Sequence, residues 1–147
     1  MNNKYEIGKE VAIKYVMFKK RTEAEVIRKL EFLNYNPVTV DKIVNYLKEA
    51  GYIDDNRYVN KYMQEIKAIK NWSKMQVKND LYKRGCKVEL DEEELNNYEL
   101  QSITNLYSKY NFKYPNHTEQ NLNDFITVLR KKGFEYDNIQ KVIKMEE

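Results

Sequence analysis

The chain has 147 residues, of which 41% are hydrophobic and 33% charged, with a formal net charge of +3. No apolar run approaches 18 residues, which excludes a membrane-spanning helix, and four Gly with two Pro are too few for an all-β chain full of turns. A lone cysteine, Cys86, excludes an internal disulfide, and Met1 to Glu10 lacks the apolar core of a signal peptide, so a reducing cytoplasm is expected.

The first amphipathic stretch carries Ile7, Val11, Tyr15 and Phe18. The segment Thr22 to Tyr35 comes next. It opens with an N-cap residue, places Glu25 three positions on as a capping box, and spaces Val26 and Leu30 by one helical turn. Asn34, a residue that tolerates positive φ, ends it. Beyond Pro37, the spacing of Val40, Ile43, Val44 and Leu47 predicts a third helix. Gly51 then stops the chain, Asp54 or Asp55 caps the next helix, and Tyr52 and Tyr58 are placed to pack across that cap. Arg57, in the first turn, meets the unfavourable end of the helix dipole and is expected to answer a nearby acid such as Asp54, or a partner.

The same pattern recurs twice. Tyr58, Tyr62, Ile66 and Ile69 lead into Ser73 to Cys86, with Gln76, Val77, Leu81 and Gly85 standing where Glu25, Val26, Leu30 and Asn34 stood. Leu90, Leu95 and Tyr98 form a poorer third helix among acids. Leu100, Ile103, Leu106 and Tyr110, then a long loop from Asn111 to Gln120, lead into Asn121 to Phe134. In that segment Asn121, Asp124, Phe125, Leu129 and Gly133 occupy the equivalent positions. Ile139, Val142 and Ile143 close the chain. Three gapless segments with caps, anchors and terminal Gly or Asn in register predict an all-α, elongated array of three tandem three-helix repeats, about nine helices. The boundaries fall at 1–51, 52–97 and 98–147. The low mean hydropathy of −0.86 suits units that each bury a modest core.

Charge is unevenly spread. Residues 61–88 hold eight basic and two acidic side chains, whereas 89–99 hold six acidic and none basic. The basic part is suited to phosphates or to an acidic protein face. Lys74 and Lys78, one turn apart, are expected to line an outer face together, and Lys19, Lys20, Arg21, Arg28 and Lys29 form a second basic cluster. Chemistry of other kinds finds little support. His117 is the only histidine and falls in a polar loop. Glu92, Glu93 and Glu94 fan around a helix and do not converge. Cys86 replaces Tyr35 and Phe134 in the repeat and reads as a packing residue. Trp72 precedes the Ser73 cap in the staple position. No Gly-rich phosphate loop and no His/Cys metal spacing occurs. Neither enzyme activity, a cofactor nor a metal is expected.

Two motifs carry a resemblance. Arg21-Thr22-Glu23-Ala24-Glu25-Val26, followed by Lys29-Leu30, resembles the R-T-x-x-E-L-x-x-K-L segment of RecX proteins. Gly51-Tyr52-Ile53-Asp54-Asp55-Asn56-Arg57-Tyr58 is similar to their G-Y-L-D-D-x-R-F/Y segment, and Leu81-Tyr82-Lys83-Arg84-Gly85 to their L-x-x-R/K-G turn. The likeness runs from Ala12 to about Glu94 and reaches the last repeat only by pattern. Asn71-Trp72-Ser73 lacks the Gly usual ahead of the second cap, and the acidic run is unusually dense. With no long extension ahead of Ala12, the chain resembles the shorter members.

The resemblance implies a monomeric regulator of the RecA recombinase in DNA repair, homologous recombination and the SOS response. Such a protein binds the RecA–DNA filament and limits its extension, its ATPase and strand exchange. Single- or double-stranded DNA is a further implied partner; a membrane is not. Arg21, Arg28, Arg57, Lys74, Lys78 and Arg84 are the expected partner-facing residues. An alternative reading is a helical DNA-binding protein, because the turn Asn34 to Pro37 joins two helices as in a helix-turn-helix.

Overall fold

A computed structural model describes residues 2–146, and among them the chain is helical with no strand. The helices are α1 (Asn2–Phe18), α2 (Glu23–Phe32), α3 (Pro37–Glu49), α4 (Asp55–Ile69), α5 (Lys74–Lys83), α6 (Glu92–Lys113), α7 (Glu119–Lys131) and α8 (Tyr136–Glu146). Met1 and Glu147, the outermost residues of the expected first and third repeats, lie outside the described residues. The described helices number eight, not about nine. The stretches around Leu95 and around Ile103 are a single 22-residue helix. No Gly or Pro interrupts Asn96 to Leu100, and Glu99 and Ser102 are buried on the same stripe as Leu95, Tyr98, Ile103 and Tyr107. A polar residue in a buried position thus bridges what apolar spacing alone divides in two.

Contacts divide the chain into two compact units, Met1–Met63 with Leu81–Val88, and Gln64–Asp80 with Glu89–Glu147. In the first unit, α1, α2 and α3 pack pairwise. Their core is Ala12, Val16, Val26, Leu30, Val40, Ile43, Val44, Leu47 and Ile53. The inward stripe of α1 is not the expected one, since Ile7 is 55% and Phe18 86% exposed. Gly8, Ala12 and Val16 face inward instead. A Cβ on Gly8 would meet Ile43 Cδ1 at 2.7 Å, so the helices approach more closely than larger side chains would permit. In the second unit α6 packs on α8, around Ile103, Tyr107, Leu129, Phe134, Ile139, Val142 and Ile143.

The local geometry of the superposed segments coincides. The Thr22 hydroxyl accepts from Glu25 N–H while the Thr22 N–H donates to Glu25 Oε1. Ser73 and Gln76 exchange the same two bonds. Asn34, Gly85 and Gly133 all have positive φ, between 68° and 96°. The next residues, Tyr35, Cys86 and Phe134, donate their N–H groups to Leu30, Leu81 and Leu129 carbonyls, the backbone closure of a Schellman-type cap. The last segment departs in one respect. Its cap is Thr118, one turn earlier than Asn121, and Asn121 is the reciprocal partner of that cap. Because α6 runs on to Lys113 and α7 begins at Glu119, the expected long loop shrinks to five residues, Tyr114 to Thr118.

Each of the first two caps also ties a distant turn. Thr22 and Ser73 are fully buried. The Thr22 hydroxyl donates to Arg84 O at 2.6 Å, and the Ser73 hydroxyl donates to Lys132 O at 2.8 Å. Both acceptors immediately precede the positive-φ glycine of another segment. A Cβ on Gly85 would collide with Ala24 Cβ, and one on Gly133 would lie 2.8 Å from Met75 Cβ. Ala24 and Met75 stand two residues after Thr22 and Ser73, so the same close packing of turn on helix start occurs in both units.

Candidate partner-binding surface

The motif Gly51 to Tyr58 builds one wall of a groove in the first unit. Gly51 closes α3 with positive φ, and Tyr52 and Ile53 both donate to Leu47 O. Asp54 then caps α4, accepting the Arg57 N–H at 3.1 Å. The next residue, Asp55, accepts the Glu23 N–H at 3.0 Å, so one carboxylate serves the N-terminus of α2 while standing at the N-terminus of α4. Burial pushes the Asp55 carboxyl above its ordinary pKa despite that bond. Lys48 pairs with Glu23 at 2.9 Å across the same corner.

The other wall is the end of α1. Val16, Met17, Lys20 and Arg21 face Tyr52, Asp54, Arg57 and Tyr58 across about 170 Å³. Met17 is 71% and Tyr52 38% exposed, so apolar surface lines a basic rim. The Arg57 side chain is 61% exposed and its ion pair with Asp54 is loose, at 3.7 Å. Arg21 is held more firmly: its guanidinium lies 4.2 Å from the Tyr15 ring centroid.

The expected partner-facing residues therefore fall into three groups. Arg21 and Arg57 meet in the groove. Arg28 and Arg84 stand together at the end of α5, where Arg28 Nη2 donates to Lys83 O and Arg84 Nη1 donates to the Tyr58 hydroxyl at 2.7 Å. Arg84 also lies over the Tyr62 ring, so its guanidinium positions two tyrosines of α4. Lys74 and Lys78 form the third group, and they do not share an open face. Lys78 is half exposed and pairs with Glu92 at 3.0 Å. The Lys74 side chain is only 13% exposed and bonds Glu135 at 2.8 Å and Asn96 Oδ1 at 3.0 Å.

The sequence dipole thus closes on itself within the second unit. Lys67 pairs with Glu94 and Lys78 with Glu92, while the Lys74 N–H donates to Glu99 Oε1. Glu99 is fully buried and its other oxygen accepts from Glu135 N–H and the Asn138 amide. Sequence reading missed Lys20 as a neighbour of Arg57, because 37 residues separate them and no local pattern links the end of α1 to the Gly51 turn. The Cys86 thiol is pushed up by burial, as befits a packing residue and not a thiolate nucleophile. Among the described residues no helix is long and apolar enough to cross a membrane.

No family model matches the chain. It is 30% identical over 142 residues to regulatory protein RecX of Streptococcus mutans, covering 92% of this chain and 54% of that one. To regulatory protein RecX of Finegoldia magna it is 28% identical over 145 residues, covering 92% of this chain and 70% of the relative. RecX of Streptococcus agalactiae matches at 29%, again over 54% of its length, so the chain spans about half the length of several curated relatives it matches. The crystal structure of RecX from Lactobacillus salivarius superposes with a TM-score of 0.85 at 23% identity, covering 99% of this chain and 97% of that one. Helical architecture, motif order and relatives along almost the whole chain agree: the chain resembles RecX proteins from end to end.

Proposed function

We propose that the chain is a non-enzymatic regulator of RecA recombinase that binds the RecA–DNA filament and limits its extension, ATPase and strand exchange. The observation that carries the reading is the groove of the first unit. It brings Lys20, Arg21 and Arg57 to one rim above exposed Met17 and Tyr52. Such a mixture of cationic rim and apolar floor suits an acidic protein face with apolar anchors better than bare phosphates. Lys74 and Lys78, held by acids of their own unit, have a lesser share in that contact. Within this reading the chain works as three tandem repeats, 1–51, 52–97 and 98–147, in a cytoplasmic monomer.

The test is the DNA-dependent ATPase of the cognate RecA, titrated with the chain at two salt concentrations. Inhibition below one chain per RecA protomer, weakening with salt, is the expected result. Lys20→Glu with Arg57→Glu should raise the half-inhibiting concentration at least about tenfold. An unchanged ATPase across saturating concentrations removes the reading. Inhibition that survives the double charge reversal keeps the function and rejects the groove.

A further inference from the structure

The second unit holds a cleft of about 520 Å³ between the end of α4 and the first half of α6. It is larger than the basic groove and its chemistry is different. Along α6, Asn97, Gln101 and Asn105 line it at successive four-residue intervals. Asn71, after α4, faces them. Gln101 Nε2 donates to Asn105 Oδ1 and Asn105 Nδ2 donates to Asn71 Oδ1, each at 3.0 Å. This chain of bonds orients three amides and leaves the Gln101 oxygen and the Asn71 NH₂ without a partner among the described residues, as it does the whole Asn97 amide. Ser102 is 1% exposed, lines the cleft, and its hydroxyl has no hydrogen-bond partner among the described residues, an uncommon state for a buried polar group.

We infer that this cleft binds an extended segment of another polypeptide through its backbone. Amides four residues apart on a helix are spaced about 6 Å along the axis. Alternate peptide units of an extended chain repeat at about 6.7 Å. A carboxamide offers one donor and one acceptor side by side, the complement of a peptide unit's C=O and N–H. Asn97 therefore offers donor and acceptor to one peptide unit of a strand laid along α6, while the Gln101 oxygen and the Asn71 NH₂ serve further units. The rim sets the charge. Lys67 is neutralised by Glu94 and Lys70 lies over the Trp72 ring beside Asn71, while Asp91 and Glu93 are exposed at the N-terminal end of α6. That end repels phosphates and attracts a basic residue of the bound segment, so a peptide is favoured over a nucleic acid.

The experiment selects peptides from a displayed random dodecapeptide library on the full chain, with the Asn97→Ala/Gln101→Ala chain as counter-bait. Asn97 and Gln101 lie on the open side of α6, so the variant keeps its helical circular dichroism. The expected result is a set of peptides, enriched in Lys or Arg at one end, that bind the variant about a hundredfold more weakly, roughly tenfold per amide lost. N-methylation of alternate backbone nitrogens in a selected peptide should abolish binding in one register and spare it in the other. No enrichment over an unrelated protein, or equal binding to the variant, overturns the inference. So does oligothymidylate moving the Asn97 and Gln101 side-chain amide resonances when no peptide does.

Discussion

The two units answer one problem with different side chains. In each, the central helix must start in the interior, where its first N–H groups have no water to bond. In the first unit Thr22 caps α2 and Asp55 accepts the following N–H, from Glu23. In the second Ser73 caps α5 and Glu99 accepts the following N–H, from Lys74. The carboxylate comes each time from a later helix. Asp55 sits at a rim, half in water, and gathers one ion-paired neighbour. Glu99 is sealed in and gathers Lys74, Glu135 and Asn138. The comparison teaches that a buried acid can be a structural fixture of the repeat, and that its surroundings decide how much folding depends on it.

The largest expected effect comes from that contrast. Glu99→Leu leaves Lys74 N–H, Glu135 N–H and the Asn138 amide without their acceptor, at a cost of about 3–5 kcal/mol. Urea unfolding followed by circular dichroism measures it, and Trp72, the only tryptophan, reports on the second unit. A cost under about 1 kcal/mol would mean that water replaces the carboxylate and the hub is not structural.

Next come the glycines. Gly85→Ala combines positive φ with a collision against Ala24, so a loss of about 2–4 kcal/mol is expected. Gly51 has φ of 81°, but a methyl group there would meet nothing within 4 Å, and Gly51→Ala should cost only about 1 kcal/mol. Equal losses at the two positions would show that backbone strain alone matters and that the turn does not press on the start of α2.

Much of this was legible in the sequence, and the reason is local. A capping box, an i, i+4 anchor pair and a positive-φ terminator all lie within a dozen residues, so Thr22, Ser73, Asn34, Gly85 and Gly133 could be placed without the fold. The expected pairing of Arg57 with Asp54 is present for the same reason. What could not be read is the partner at long range. Lys74 looks like an outward lysine until Asn96 and Glu135, 22 and 61 positions away, draw its side chain in. Thr118 is not evident from the sequence because matching the apolar anchors Phe125 and Leu129 places Asn121 in the cap position. The meeting of Lys20 with Arg57 in the groove depends on helix packing that neither motif contains.

The cap hydroxyls sharpen the comparison at intermediate size. Thr22→Ala and Ser73→Ala each remove a cap and the bond to a distant carbonyl, and each should cost about 1–2 kcal/mol. Thr22→Ser keeps both bonds and should recover most of the loss. If Ser73→Ala is much the milder, Glu99 already holds the start of α5 and the hydroxyl is redundant there.

The smallest effect concerns the sign of one charge. Burial raises the Asp55 carboxyl above its ordinary value of 3.8 even though it accepts the Glu23 N–H and stands near two helix N-termini. A carboxyl whose pKa is higher folded than unfolded contributes most when protonated. Its contribution is complete below the unfolded value and is lost as pH rises through the folded one. Asp55→Asn keeps an oxygen acceptor for Glu23 and cannot titrate. The native chain should therefore lose stability relative to the variant as pH rises from below 3.8 through the raised value, with no further change above it. A difference that moves the other way would mean that the two helix dipoles outweigh burial, and Asp55 would then resemble an exposed capping acid more than its sealed counterpart Glu99.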